Sequence, residues 1–411
     1  MMRRNSTRQR SRLIGVVTTF FFTAFLLLAL KDLKPLSWLM ALIVPLILMG
    51  STLLIPRLFP ADQLLLAVVN FLCAMGVLVL YRMDAQQGLN QAINYGVAVL
   101  AMLICMAFVR RVREWRVLLV ILGAVGLVLM ALPVLIGTER NGARAWVNLA
   151  GMGFQPSELV KIILIVVCSV LFSRRQILRA ILFGGVCLLL LMLQKDLGTA
   201  LIYYGVILIL LFAATRSYAY LGIGILGAAA GSMIGYSMFS HVKRRVRIWL
   251  DPWYDYNGAG YQIVQALIAM VNGGVWGLGL GLGNAYDIPA NTTDFVFSII
   301  LNEFGLVFGV CVVLLYLLIF LRGIGIAMRS TSRLHSLMAL GSVCLIALQT
   351  FIIIGGNIKM IPLTGVTLPF ISYGGSSLIS SMGLMGLLQG VASLNEDQVQ
   401  EDMALAQEVA L

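Results

Sequence analysis

Runs of about twenty apolar residues follow one another along this chain, broken only by short polar stretches. They fall near 13–30, 36–55, 62–81, 91–109, 116–136, 157–172, 178–194, 197–215, 218–240, 295–321, 334–356 and 374–393. A helix needs roughly 20 apolar residues to cross the hydrocarbon core of a bilayer. Backbone donors and acceptors inside that core must all be satisfied within the protein, which a helix does within its own segment. The pattern therefore predicts an all-α fold, a polytopic membrane helix bundle of about twelve transmembrane helices.

Charge sets the expected orientation, because Lys and Arg are retained on the cytoplasmic side. With the first residue inside, seventeen basic residues fall in inside segments, among them Arg57, Arg110, Arg111, Arg113, Arg174, Arg175 and Arg216, against eleven outside. Four of those eleven, Lys243, Arg244, Arg245 and Arg247, share one long loop, where charge has little influence on translocation. Both termini are thus expected to be cytoplasmic, with 137–156, a large extracytoplasmic loop at 241–294, and 357–373 facing outward. The basic Met1–Arg12 stretch leads into an apolar run with no small-residue cleavage site after Leu30, so it is expected to be retained. The acidic end from Glu396 to Leu411 is expected to be disordered.

Composition removes the soluble alternative. With 60% hydrophobic residues and 11% charged ones, the usage lies far outside that of soluble domains. The formal charge of +12 then describes membrane loops and gives no reason to expect nucleic acid. All six cysteines lie inside apolar runs, so neither disulfides nor a metal cluster is expected.

Unusual residues gather on the predicted outer face. The 241–294 loop is too long for a turn and too rich in Trp and Tyr for disorder, which points to short interfacial or re-entrant helices. Its glycine run, Gly273 to Gly283, lacks the strand before and the Lys-Ser/Thr after of a phosphate loop, and close helix packing or a flexible hinge is the better reading. Lys243, Arg244, Arg245 and Arg247 suit either an anionic lipid surface or a diphosphate clamp. Asp294 precedes a long apolar helix, where it could cap the helix start or act as a general base with a raised pKa. Glu158 and Lys161 share one helix face at i,i+3, as a structural pair or as functional charges. Asp196 beside Lys195 permits the same two readings, and Glu303, deeper in the helix that follows Asp294, should face the bundle interior.

Seven stretches occur in the order that characterises the SEDS (shape, elongation, division and sporulation) family, which includes FtsW, RodA and SpoVE. They are GARAW (142–146), FQPSELVK (154–161), DLGTA (196–200), RVRIWLDP (245–252), GAGYQIVQ (258–265), TDFVF (293–297) and PLTGVTLPFISYGGSS (362–377). Any one is weak, but seven in order are specific, and the chain resembles this family from about Leu65 to Ala392. The resemblance implies a basic N-terminus with two additional helices (1–61), a catalytic core of ten helices (62–394) and an acidic tail (395–411). It implies a peptidoglycan glycosyltransferase of the bacterial cytoplasmic membrane that polymerises lipid II onto undecaprenyl-diphosphate-linked glycan by inversion. It also implies a class B penicillin-binding protein as partner.

In that family the Asp of Thr-Asp-Phe is the leading catalytic candidate, which favours Asp294 as base. Arg245, Arg244, Arg247, Trp146, Lys359, Gln262, Gln265, Ser372 and Ser376 become the candidate substrate-binding set, supported by Glu158, Lys161, Asp196 and Glu303. A divalent cation, Mg or Mn, bridging carboxylates and diphosphate is chemically reasonable, although no ligand cluster stands out. The chain departs from the family pattern at Lys195, where Gln-Pro-Asp is usual, and at Asn302, where an acid is common. The rivals are a transporter of lipid-linked precursors, since twelve spans is also a transporter plan, and a non-catalytic scaffold.

Overall fold

Capping residues and prolines punctuate the apolar runs, and several helices begin where these fall. The computed structural model describes residues 2–112, 114–140, 142–149, 152–285 and 288–409. Arg113, one of the residues used to orient the chain, and the terminal Met1 and Leu411 lie outside them. The helices are α1 (Met2–Asp32), α2 (Pro35–Leu58), α3 (Gln63–Met83), α4 (Ala85–Arg111), α5 (Trp115–Ile136), α6 (Pro156–Ser173) and α7 (Ile177–Leu193). They continue with α8 (Leu197–Thr215), α9 (Tyr218–Met238), α10 (Ser240–Leu250), α11 (Ala259–Gly273), α12 (Val296–Arg329), α13 (Arg333–Asn357) and α14 (Gly375–Val409). Among the described residues, eleven helices are long and apolar enough to cross a membrane, and the shorter α7 holds the remaining predicted position. Asp62 and Asp84 cap α3 and α4 by accepting from backbone N–H groups, while Pro35 and Pro156 open α2 and α6 at the first helical position.

In lipid, helices gain little from apolarity alone and associate through close packing at small residues. Gly386 on α14 shows why: a Cβ there would lie 2.4 Å from the Met102 carbonyl oxygen of α4. Helices α3, α6 and α13 are buried on most of their surface, whereas α9 buries only Gly235 and turns its remaining apolar side chains outward. The N-terminal pair is tied to the core by polar contacts. The Ser37 and Tyr81 hydroxyls share a hydrogen bond of 2.7 Å, and Asn70 donates to Thr52 while accepting from Tyr95, both at 2.8 Å.

One expectation is overturned. The acidic end is not disordered: α14 runs on to Val409, because the segment is rich in strong helix formers and is anchored by an Arg110–Asp397 ion pair at 3.0 Å. The 137–156 segment of this otherwise helical fold carries three short strands, β1 (Thr138–Arg140), β2 (Ala143–Leu149) and β3 (Met152–Phe154), paired antiparallel in chain order. A polar loop outside the hydrocarbon can pair strands that a lipid-exposed segment could not.

The 241–294 loop carries α10, a 3₁₀ turn over Pro252–Asp255, and α11. The glycine run after α11 packs on a break in α12 at Gly305, whose φ of 82° interrupts the helix. Leu278 and Gly279 donate to the Asn302 and Glu303 carbonyls that the break frees, and Gly274 and Val275 carbonyls accept from Leu306 and Val307. A Cβ on Gly277 would sit 2.3 Å from the Glu303 carbonyl oxygen, so only glycine allows this backbone-to-backbone approach. Close packing, rather than phosphate cradling, is what the run provides. Asn302 explains its departure from an acid here, since it donates to the Ala269 carbonyl and accepts from Asn284 N–H, and a carboxylate could not donate.

Candidate active site

Asp294 lies in the turn just before α12, but it does not cap that helix. The helix starts at Val296, and Phe295 occupies the cap position. This corrects the capping alternative and leaves the carboxylate free for other work. Its backbone is held tightly instead. Asn357 at the end of α13 donates to the Asp294 carbonyl at 2.6 Å, and Ser372 donates to the Thr293 carbonyl at 2.6 Å. Tyr373 N–H bonds the Thr292 carbonyl at 2.9 Å.

The second charged group comes from α10. Arg245 is the member of the basic cluster that turns inward, donating from Nη1 to the Thr364 carbonyl at 2.7 Å. Gly365, at φ +77°, separates the two groups: a Cβ there would lie 3.4 Å from Arg245 Nη2 and 3.7 Å from Asp294 Oδ2. An alanine there would touch both groups at ordinary contact distance, but the positive φ would strain its backbone. Burial pushes the Asp294 carboxyl up to about 6, against the pull of Arg245 and the Thr293 hydroxyl. Burial lowers the pKa of Arg245, offset by Asp294 and Asp196.

A third group stands at the start of α8. Asp196 accepts from Thr199 N–H and from Gln155 Nε2, both at 3.1 Å, and burial raises its pKa despite these bonds. A Cβ on nearby Gly198 would meet the Thr364 carbonyl at 3.1 Å, so this helix start packs against the same loop that holds Arg245. Lys195, just before it, adopts φ +60°, a conformation closed to the proline the family pattern usually has, so this turn must follow a different backbone path.

Glu158 and Lys161 form the structural half of the arrangement. They pair at 2.7 Å, both buried, and each has a further partner: Lys161 also donates to Gln349 Oε1 at 3.0 Å, and Ser380 donates to Glu158 Oε2 at 2.7 Å. Gln349 Nε2 reaches the Thr367 carbonyl at 2.8 Å, and the Thr367 hydroxyl meets Ser377 at 2.6 Å. The 362–373 loop thus links the buried pair through Thr367, Arg245 through Thr364 and Asp294 through Gly365.

Other predicted residues are not drawn into this centre. Arg244 pairs with Asp255 at 2.9 Å, and Arg247 bonds the Tyr254 hydroxyl and lies over its ring at 4.9 Å. Lys359 offers its carbonyl to Trp249 Nε1, and Glu303 pairs with Arg82 at 3.3 Å beside the α12 break. Gln262 and Gln265 are half-buried on α11 without side-chain hydrogen bonds among the described residues, and Ser376 is half-buried at the start of α14. Trp146 lies in β2, its carbonyl accepting from Thr138. Sequence reasoning missed Thr364, Gly365, Thr367, Gln349, Ser380 and Asn357. The signal for Gln349 and Asn357 was available, as both are polar residues inside an apolar helix. The donor set does not fit a protein-built cation cage. Among the described residues no three acidic, His or Cys side chains converge, and the charged neighbour of Asp294 is a guanidinium.

Fold and site together define a polytopic membrane protein that gathers an acid, a guanidinium and a hydrogen-bonded loop at one end of its bundle. The cell cycle protein family of FtsW, RodA and SpoVE matches residues 62–397, and the chain belongs to that family. The peptidoglycan glycosyltransferase RodA of Mycobacterium tuberculosis is 34% identical, the match covering 84% of this chain and 81% of that protein. Stage V sporulation protein E of Bacillus subtilis is 32% identical over 80% of this chain and 96% of its own length. Among solved structures, a chain of a peptidoglycan synthase complex described for its coordination of polymerization and crosslinking aligns with a TM-score of 0.67 at 28% identity, over 83% of this chain and 99% of its own. Thermus thermophilus RodA aligns with a TM-score of 0.61 at 26% identity, over 82% and 98% respectively.

Proposed function

We propose that this peptidoglycan glycosyltransferase polymerises lipid II at the outer face of a bacterial cytoplasmic membrane, with Asp294 as general base and Arg245 as the leaving-group clamp. The observation that carries the reading is the single junction where both groups meet: a half-buried carboxylate with its pKa pushed up to about 6, across Gly365 from a guanidinium pinned to Thr364. At pH 7 such a carboxylate is ionised in about ten molecules for each neutral one, so it is competent to accept a proton and less solvated than a surface acid. It takes the proton of the acceptor sugar's 4-hydroxyl as that oxygen attacks the anomeric carbon of the donor. The carbon–oxygen bond to the polyprenyl diphosphate breaks on the opposite side, which gives a β-1,4 bond by inversion. Arg245 supplies fixed positive charge where negative charge grows on the departing diphosphate.

The remaining groups have supporting places in this scheme. Glu158, Lys161, Gln349 and Thr367 hold the 362–373 loop in position, and Asp196 adds negative potential at Arg245. Arg244, Arg247 and Lys359, at the rim, attract the diphosphate without contacting the reacting atoms. Both termini face the cytoplasm in this reading, and a class B penicillin-binding protein crosslinks the strands. The transporter alternative requires paired broken helices in corresponding halves. Among the described residues only α12 is broken, and its freed backbone groups are already satisfied by the glycine run. The test is purified protein given labelled lipid II, with the glycan chains separated on a gel. A ladder that disappears in the Asp294→Asn protein is the expected result, and absence of polymer from folded wild-type protein with its transpeptidase present overturns the reading.

A further inference from the structure

The helices that organise the active end also meet at the opposite end of the bundle. Helix α6 carries Glu158 and Lys161 near its start, α8 follows Asp196, and α13 ends at Asn357 beside Asp294. Their other ends surround a cavity of about 750 Å³. Arg175, which follows α6, Arg216, which follows α8, and Arg333, which opens α13, all line it. No acidic residue lines this cavity, and none of the three arginines has an ion pair among the described residues. Arg333 donates to the Ala214 carbonyl at 2.6 Å, while Arg175 and Arg216 have no side-chain hydrogen bond there. The cavity wall also carries Phe172, Ile177 and Leu340.

Retention of positive charge on one side of a membrane calls for Lys and Arg in loops, not for three arginines lining one cavity with an apolar wall. Such a lining matches a molecule with an anionic head and a hydrocarbon body. Guanidinium groups bind phosphate oxygens with two donors at once, and basic pockets between helices are a recognised way of holding anionic lipid heads. The helix starts add to this. Ser217 and Ser332 precede α9 and α13 without capping them, so first-turn N–H groups lack a side-chain partner there, and helix starts favour anions.

We propose that this cavity is a binding site for one anionic phospholipid, its phosphate held by Arg175, Arg216 and Arg333 and an acyl chain lying along Ile177 and Leu340. Because the same three helices support Asp294 at their far ends, the bound lipid fixes their spacing where they would otherwise repel one another through like charges.

The test uses the full-length protein in detergent, with phosphatidylglycerol or phosphatidylcholine of identical acyl chains added, read by native mass spectrometry for retained lipid and by thermal unfolding. The expected result is retention of one phosphatidylglycerol and a higher Tm with that lipid alone. The double variant Arg216→Gln/Arg333→Gln should weaken retention about tenfold or more, since charged hydrogen bonds are among the stronger ones, while unfolding as wild type does in phosphatidylcholine. Arg57→Gln, outside the cavity, should retain the lipid normally. Equal retention of both lipids, an unchanged double variant, or equal loss in Arg57→Gln overturns the proposal. So does stabilisation by glycerol 3-phosphate alone that matches phosphatidylglycerol, because the site would then belong to a soluble phosphate. None of these outcomes depends on polymerisation, so they are independent of the assignment of Asp294.

Discussion

Replacing Asp294 with Asn separates chemistry from structure, because Asn keeps the size and polarity of the side chain and removes the base. Phe295, not Asp294, occupies the cap of α12, so no capping interaction is lost. The hydrogen bonds that hold this turn go to backbone carbonyls of Thr292, Thr293 and Asp294 and survive the change. The stability effect follows from linkage. The native carboxyl titrates near 6 against an ordinary 3.8, so the folded state binds its proton more tightly than the unfolded chain does. Stability from this group is therefore greatest at low pH and is lost as pH rises from about 4 to 6. A neutral Asn avoids the cost of holding an ionised, half-buried acid, about 1–3 kcal/mol at pH 7 once solvent screening is allowed for. The variant should be as stable as wild type or more so. Losing a general base typically costs about 10²–10⁴ in rate, or about 3–5 kcal/mol of barrier. Polymerisation of labelled lipid II, alongside thermal unfolding, should show a loss of at least a hundredfold with Tm unchanged or raised. The wild-type rate should also fall tenfold per pH unit below about 6. Near wild-type synthesis by a folded Asp294→Asn protein would refute the reasoning, and a flat rate between pH 5 and 7 would refute the titration.

Further outcomes follow from the neighbouring geometry. Arg245→Ala should slow polymerisation by about 10²–10³, as expected for loss of a donor to developing charge, and should do so equally in neutral bilayers; a defect confined to anionic bilayers would reduce Arg245 to a lipid contact. Lys161→Met leaves Glu158 buried without its partner and should destabilise by about 3–5 kcal/mol, with Glu158→Gln/Lys161→Met less affected; a double variant no more stable than the single one in thermal unfolding would contradict the buried-pair account. Gly277→Ala should cost about 1–3 kcal/mol through its clash with the Glu303 carbonyl, whereas Gly325→Ala, where a Cβ meets open space, should cost far less. A cysteine at Asn257 should be labelled by an impermeant reagent from outside intact cells, with tags at both termini protected; the reverse pattern would invert the orientation.

Much of this was legible without coordinates. A bilayer imposes one length and one polarity on every crossing, so twelve apolar runs announce themselves from local composition. The same holds for motifs such as Thr-Asp-Phe, which are contiguous in the chain and could single out Asp294. Local signals failed where the outcome depended on partners far away in sequence. Arg244, Arg245 and Arg247 are equivalent as a basic run, and only folding directs one inward to Thr364 and the others towards Asp255 and Tyr254. The glycine run acquired its role from an α12 break that lies some twenty residues or more further on. Gln349, Thr367 and Ser380 became a network with Glu158 and Lys161 because helices distant in the chain bring their bonding groups together in a medium with no water to satisfy them. The sequence by itself thus determined which segments are long and apolar enough to cross a membrane, and pointed to the acid proposed for the site. Tertiary structure decided which charges meet, because an interaction between two buried polar groups depends on distances that neither group's own neighbours in the chain specify.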